Sequence, residues 1–117
     1  MLSLAANVRV YLCTEAVDMR KSFDGLSVLV MDVLEADPLS GALFAFCNRR
    51  GDKLKVLYYD GQGLCLWYKR LERGRFRIPT GEGDAVELSA RELALLLDGL
   101  EVGLAAQMPR REVQAVA

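Results

Sequence analysis

The chain has 117 residues, close to the commonest size for one folded unit, and 52% of them are hydrophobic against 26% charged; apolar surface is ample to offset the entropy of folding, which excludes wholesale disorder. The longest uncharged stretch, Pro38 to Asn48, falls well short of the roughly 20 apolar residues that a membrane-spanning helix needs. Histidine is absent and the formal net charge is −1, which removes the commonest general base, the commonest transition-metal ligand and every triad built on imidazole.

Met1 to Val8 is mildly apolar without a basic leader, and Arg9 interrupts it, so a secretory signal is not expected. Val8 to Leu12 reads as an opening strand, followed by a polar turn through Thr14, Glu15 and Asp18. From Ser22, a candidate cap, the apolar residues Phe23, Leu26, Val30, Val33 and Leu34 recur at helical spacing, with Asp24 in the first turn. Asp37-Pro38 ends this helix, and Gly41 turns the chain into a buried strand, Ala42 to Cys47.

Asn48 to Asp52 is turn chemistry, and Lys53 to Tyr59 alternates Lys53 and Lys55 with Leu54 and Val56, as a strand with one wet face does. Asp60 to Gly63 makes a second turn, and Leu64 to Arg70 a third consecutive strand. Glu72 to Arg75 turns again into a short strand, Phe76 to Ile78, before Pro79 and the Gly81 to Asp84 loop; Ala85 to Leu88 reads as an edge strand. Ser89 and Glu92 have capping-box spacing, and Leu93, Leu96, Leu97 and Leu100 form one apolar stripe on a closing helix. The expectation is an α+β fold: an antiparallel β-meander of about five strands packed with one helix in the N-terminal half and one at the C-terminal end. Residues 1–106 form one domain in this reading, and 107–117, with Pro109, Arg110 and Arg111, a flexible tail.

Charge is sorted along the chain. Nine Lys or Arg but three Asp or Glu lie between Arg49 and Arg77, so that segment carries +6 and the remainder −7. Five of the nine aromatics, Tyr58, Tyr59, Trp67, Tyr68 and Phe76, share the basic stretch, the combination that nucleic-acid surfaces use to hold phosphates and stack bases. A solvated sheet face with core-filling aromatics has the same composition. Arg73, Arg75 and Arg77 fall on one side of an extended chain, and the arginine fork suits phosphate oxygens.

Other chemistry finds little footing. Cys13, Cys47 and Cys65 lie in apolar, strand-like segments with no C-x-x-C pair, which suits free thiols in the cytoplasm and no zinc site. Gly61-Gln62-Gly63 opens like a dinucleotide fingerprint, but Leu66 stands at the third glycine position, so no cofactor is expected. Asp18, Asp24 and Asp60 would serve a divalent-metal nuclease, although each has a plainer role at a turn or helix start.

The ordered motifs resemble one family, the small TnpB-type, Orf2-like accessory protein of the insertion sequence sixty-six family of bacterial transposons. The resemblance is carried by Asp18 to Leu26, Asp37-Pro38, Ser40-Gly41, Asn48-Arg49-Arg50, Asp60-Gly61, Trp67 to Glu72 and Leu88-Ser89, and covers about four fifths of the chain. It implies a partner of a separately encoded transposase without a catalytic motif of its own, unrelated to the larger RNA-guided nucleases that share the TnpB label. The expected function is therefore non-enzymatic: Arg49, Arg50, Lys53, Lys55, Lys69, Arg70, Arg73, Arg75 and Arg77 hold DNA phosphates at element ends. Two alternatives stay open, an adaptor anchored on the transposase by Tyr59 and Trp67, and the metal-dependent nuclease.

Overall fold

The structure, a computed structural model, describes residue 5, residues 7–79 and residues 83–98. Val10–Cys13 forms β1, Phe23–Asp32 α1, Leu43–Cys47 β2, Lys53–Tyr59 β3, Leu64–Arg70 β4, Ala85–Leu88 β5 and Ala90–Leu97 α2. The five strands make one sheet in the order β4-β3-β2-β1-β5, with α1 on one face and α2 on the other. Cys13, Cys47 and Cys65 are free thiols, and burial pushes the Cys47 thiol up to about 11. Among the described residues no helix is long and apolar enough to cross a membrane, and the predicted tail, 107–117, lies outside them.

The α+β architecture is as expected, but the sheet is mixed rather than wholly antiparallel. β2, β3 and β4 form the anticipated meander. β1 instead lies parallel to β2, Val10 opposite Leu43, because α1 intervenes and returns the chain in the same direction, as a crossover connection must. β5 closes the far edge antiparallel to β1. A second difference falls at Phe76 to Ile78, which is not a strand. The Phe76 N–H donates to the Gly51 carbonyl at 2.7 Å, while its ring is buried with the α2-side core.

Period-two alternation sorts the side chains between two cores. Leu43, Ala45, Cys47, Leu54 and Val56 face α2, whose Leu93, Leu96 and Leu97 cover them. Phe44, Phe46 and Leu57 face α1 and meet Leu26 and Val30. β2 is therefore buried along its whole length, as a central strand covered on both sides should be.

The helix ends show how local chemistry sets the boundaries. The Ser89 hydroxyl accepts from the Glu92 N–H at 3.0 Å while the Glu92 carboxylate accepts from the Ser89 N–H at 2.9 Å, so the predicted capping box is formed. Ser22 precedes α1 but its side chain makes no cap bond, contrary to the expectation from sequence. The helix also stops before Val33 and Leu34, and the chain leaves through Glu35 in the left-handed region at φ 52°. Ser89→Ala should therefore lower stability by about 1 kcal/mol, with Ser22→Ala close to neutral. Urea denaturation of the two variants checks the contrast.

A cationic end of the sheet

The β2–β3 turn is rigid because its side chains bond to one another. The Asn48 amide donates to the Asp52 carboxylate at 2.8 Å and its oxygen accepts from the Lys53 N–H at 3.0 Å, with Gly51 at φ 79°. That amide bond holds the Asp52 carboxyl below its ordinary range. Arg49 and Arg50 ride outward on this turn, both exposed. The chain after β4 wraps around it: the Leu71 N–H donates to the Asp52 carbonyl and the Phe76 N–H to the Gly51 carbonyl, both at 2.7 Å. Residues far apart in sequence are thus brought to one end of the sheet.

The loop between β1 and α1 supplies a wall. Val17 is buried and its N–H bonds to the Cys47 carbonyl at 2.9 Å. Further on, the Lys55 ammonium donates to the carbonyls of Met19 and Lys21 at 2.8 and 2.7 Å. Asp18 holds Arg20 through its backbone N–H at 2.9 Å and its guanidinium at 2.7 and 3.0 Å, leaving Arg20 itself in solvent. A cleft of about 650 Å³ opens between this loop, the Arg49-Arg50 turn, and Lys53 and Tyr68 on the sheet. A second, of about 330 Å³, lies across the turn and shares Arg49 and Arg50 with the first, adding Arg75.

The nine cations expected to act together are divided by the fold. Arg49, Arg50, Lys53 and Arg75 line the two clefts. Arg70 stands opposite Lys53 across the β3–β4 pair and is tied to Glu72 at 3.1 Å. Arg73 is exposed in the turn after β4, and Arg77 beyond Phe76.

Lys55 is 5% exposed; burial pushes its ammonium below the ordinary value while the Asp18 charge works against that shift. It is a structural cation, because an amphiphilic strand position facing α1 lies under the loop rather than in water. Lys69 points to the opposite face and donates to the Leu97 carbonyl at 2.7 Å, satisfying one of the orphan acceptors at the end of α2.

The two aromatic anchors are also elsewhere. Trp67 packs against the α2-side core. Tyr59 is at the other end of β3, its hydroxyl donating to the Gly61 carbonyl, about 20 Å of strand from Lys53. Arg20 and Tyr68, which do line the larger cleft, were not among the residues expected to act. Tyr68 was legible by alternation, being opposite in phase to Trp67. Arg20 carried only an Asp-x-Arg spacing, which says nothing about where the loop lies.

Among the described residues, ion pairs within 4.0 Å join Arg9 to Glu87, Arg20 to Asp18 and Arg70 to Glu72. Arg49, Arg50, Lys53 and Arg75 have none. No group of three or more His, Cys, Asp or Glu side chains among the described residues is placed to hold a metal ion. Asp60 caps its own hairpin, accepting from Gln62 and Gly63 at 2.9 and 3.0 Å.

Fold and site together define a small α+β protein with a cleft-bearing, cationic sheet end. A family model described as IS66 Orf2 like protein matches residues 8–107, and the chain belongs to that family. Membership suggests an accessory role in transposition. Uncharacterized protein y4hO of Sinorhizobium fredii is 48% identical over 101 residues, spanning 86% of this chain and 88% of that protein. Uncharacterized protein y4jC of the same organism is 38% identical over 101 residues, spanning 86% of each. No solved structure matches the chain significantly.

The Arg20 hydrogen bonds hold the Asp18 carboxyl at about 2, below its ordinary 3.8. A carboxyl lowered on folding stabilises the protein above its ordinary value, and that contribution fades as pH falls through the window down to about 2. Arg20→Gln should return the Asp18 carboxyl toward 3.8 and flatten the acid limb of the stability curve in that window. Carboxyl NMR titration and acid denaturation read the two effects.

Proposed function

We propose that the chain is a non-catalytic accessory protein of DNA transposition, acting in the cytoplasm, which docks its cationic sheet end on DNA phosphates and so assists a separately encoded transposase. The observation that carries this is the convergence of Arg20, Arg49, Arg50, Lys53 and Arg75 on two adjoining clefts in which the carboxylates are Asp18 and Glu15. Arg20 is shared with Asp18, whereas Arg49, Arg50, Lys53 and Arg75 have no ion pair among the described residues, and such excess positive charge is what a polyanion neutralises on binding, with release of its counterions. Lys53 lies directly opposite Arg70 across the β3–β4 pair; Glu72 meets Arg70, so the charge left there for a phosphate is that of Lys53. Arginine predominates, and its planar fork can hold two phosphate oxygens at once.

Contact with the transposase through protein surface has one observation of its own. Phe23, Val28 and Met31 on α1 are 43%, 47% and 50% exposed, apolar area of the kind that marks protein contacts. In that case the anchors are on α1 and not at Tyr59 and Trp67.

With about five phosphate contacts, duplex affinity should fall with salt at a log–log slope of roughly −4 to −5. Arg49→Ala with Arg50→Ala should weaken binding about equally on unrelated sequences and reduce the slope by about 2, while Lys69→Gln, on the other face, leaves the slope unchanged. Affinity insensitive to salt, or lost on one sequence alone, would count against phosphate docking. A transposase complex that survives complete nuclease digestion would favour the α1 contact instead.

A further inference from the structure

Phosphate docking leaves one feature of the larger cleft unused. Tyr68 is 50% exposed and stands on the sheet among cations supplied by the loop before α1, the β2–β3 turn and β3. One side of its ring is occupied by the Lys55 ammonium, 4.6 Å from the ring centroid. Since Lys55 is itself locked by two carbonyls, the ring is held in place before any ligand arrives, which lowers the ordering cost of binding to it. A half-wet aromatic in a cationic cleft is the arrangement on which nucleobases stack, and stacking is tolerant of sequence. The volume, about 650 Å³, lies in the range of small-ligand sites. Bases within a duplex are stacked inside the helix, so only an unpaired or extruded base can reach a side chain that stands on the sheet between two loops.

We infer that this cleft takes an unpaired nucleotide of single-stranded DNA, its base against Tyr68 and its flanking phosphates on Arg20, Arg49, Arg50 and Lys53. The inference rests on phosphate docking by the same end and adds to it a preference for an open strand over a closed duplex. Nothing in the stacking contact reads base edges, so the preference is for strandedness and not for sequence.

Fluorescence anisotropy with a labelled single strand, and with the duplex annealed from it, at one fixed salt concentration, tests this. Tyr68→Ala should weaken strand binding about 5- to 150-fold and leave duplex binding unchanged, and Tyr68→Phe should keep both. Tyr68→Leu retains apolar bulk over Lys55, whose two carbonyl partners remain, but has no π face; it should stay folded, with a modest loss of stability from the missing cation–π contact, and bind the strand as poorly as Tyr68→Ala. A strand carrying bromodeoxyuridine should cross-link to the peptide that contains Tyr68. Parental strand affinity in Tyr68→Leu, or an equal loss on strand and duplex, would overturn the nucleotide site while leaving phosphate docking intact. Failure of the parent protein to bind either DNA would overturn both.

Discussion

Two sides of the larger cleft, the loop that carries Arg20 and the ring of Tyr68, depend on one buried ammonium. Lys55 lies in the middle of a strand, under the loop that leads into α1, and its charge is met by two backbone carbonyls and an aromatic ring in place of water. An ammonium without partners there would carry a heavy desolvation cost, whereas one that satisfies carbonyls at a loop end fixes the loop in return. The consequence reaches Arg20, because the carbonyls on either side of it, those of Met19 and Lys21, are the ones held. It also reaches Tyr68, whose ring is positioned against the same ammonium. A single lysine therefore fixes the loop side and the aromatic side of the larger cleft without contacting what enters it, while Asn48 and Asp52 fix the turn that carries Arg49 and Arg50.

The sheet imposes the second constraint. With α1 covering one face and α2 the other, β2 has no wet surface, and chemistry is confined to strand ends and connections. The end at which β2 finishes and β3 begins gathers three connections, and the acidic residues there are largely spent on local geometry: Asp18 on Arg20, Asp52 on Asn48. Positive charge remains in excess because its counterparts are occupied in shaping the loops. The same division of labour explains Lys69, which satisfies a carbonyl at the end of α2.

Much of this was legible in the sequence, and the exceptions share a cause. Lys53 to Tyr59 and Leu64 to Arg70 alternate cleanly, and the turns between strands carry glycine and aspartate where positive φ and side-chain capping require them. Ser89 with Glu92 specifies its helix start through local bonds alone. In contrast, Lys53 and Lys55 share a face and a residue type, so nothing local separates the one that lines the cleft from the one that is buried; the distinction comes from a loop that crosses above Lys55 alone. The parallel pairing of β1 with β2 is likewise a long-range choice, set by how α1 packs and not by any property of Val10–Cys13. Phe76 to Ile78 has a strand's composition but wraps a turn, the Phe76 N–H bonding to Gly51 and not to a neighbouring strand. Arg20 acquires its place from Lys55 and Asp18, neither of which marks it in advance.

The central claim, that the β2–β3 end is the surface presented to DNA, is tested most directly by amide hydrogen exchange of the full chain with and without bound oligonucleotide. Slowed exchange confined to residues 16–21, 48–53 and 68–76 is the predicted footprint. Protection centred on α2 and the Trp67 face, or no change anywhere at saturating DNA, would contradict it.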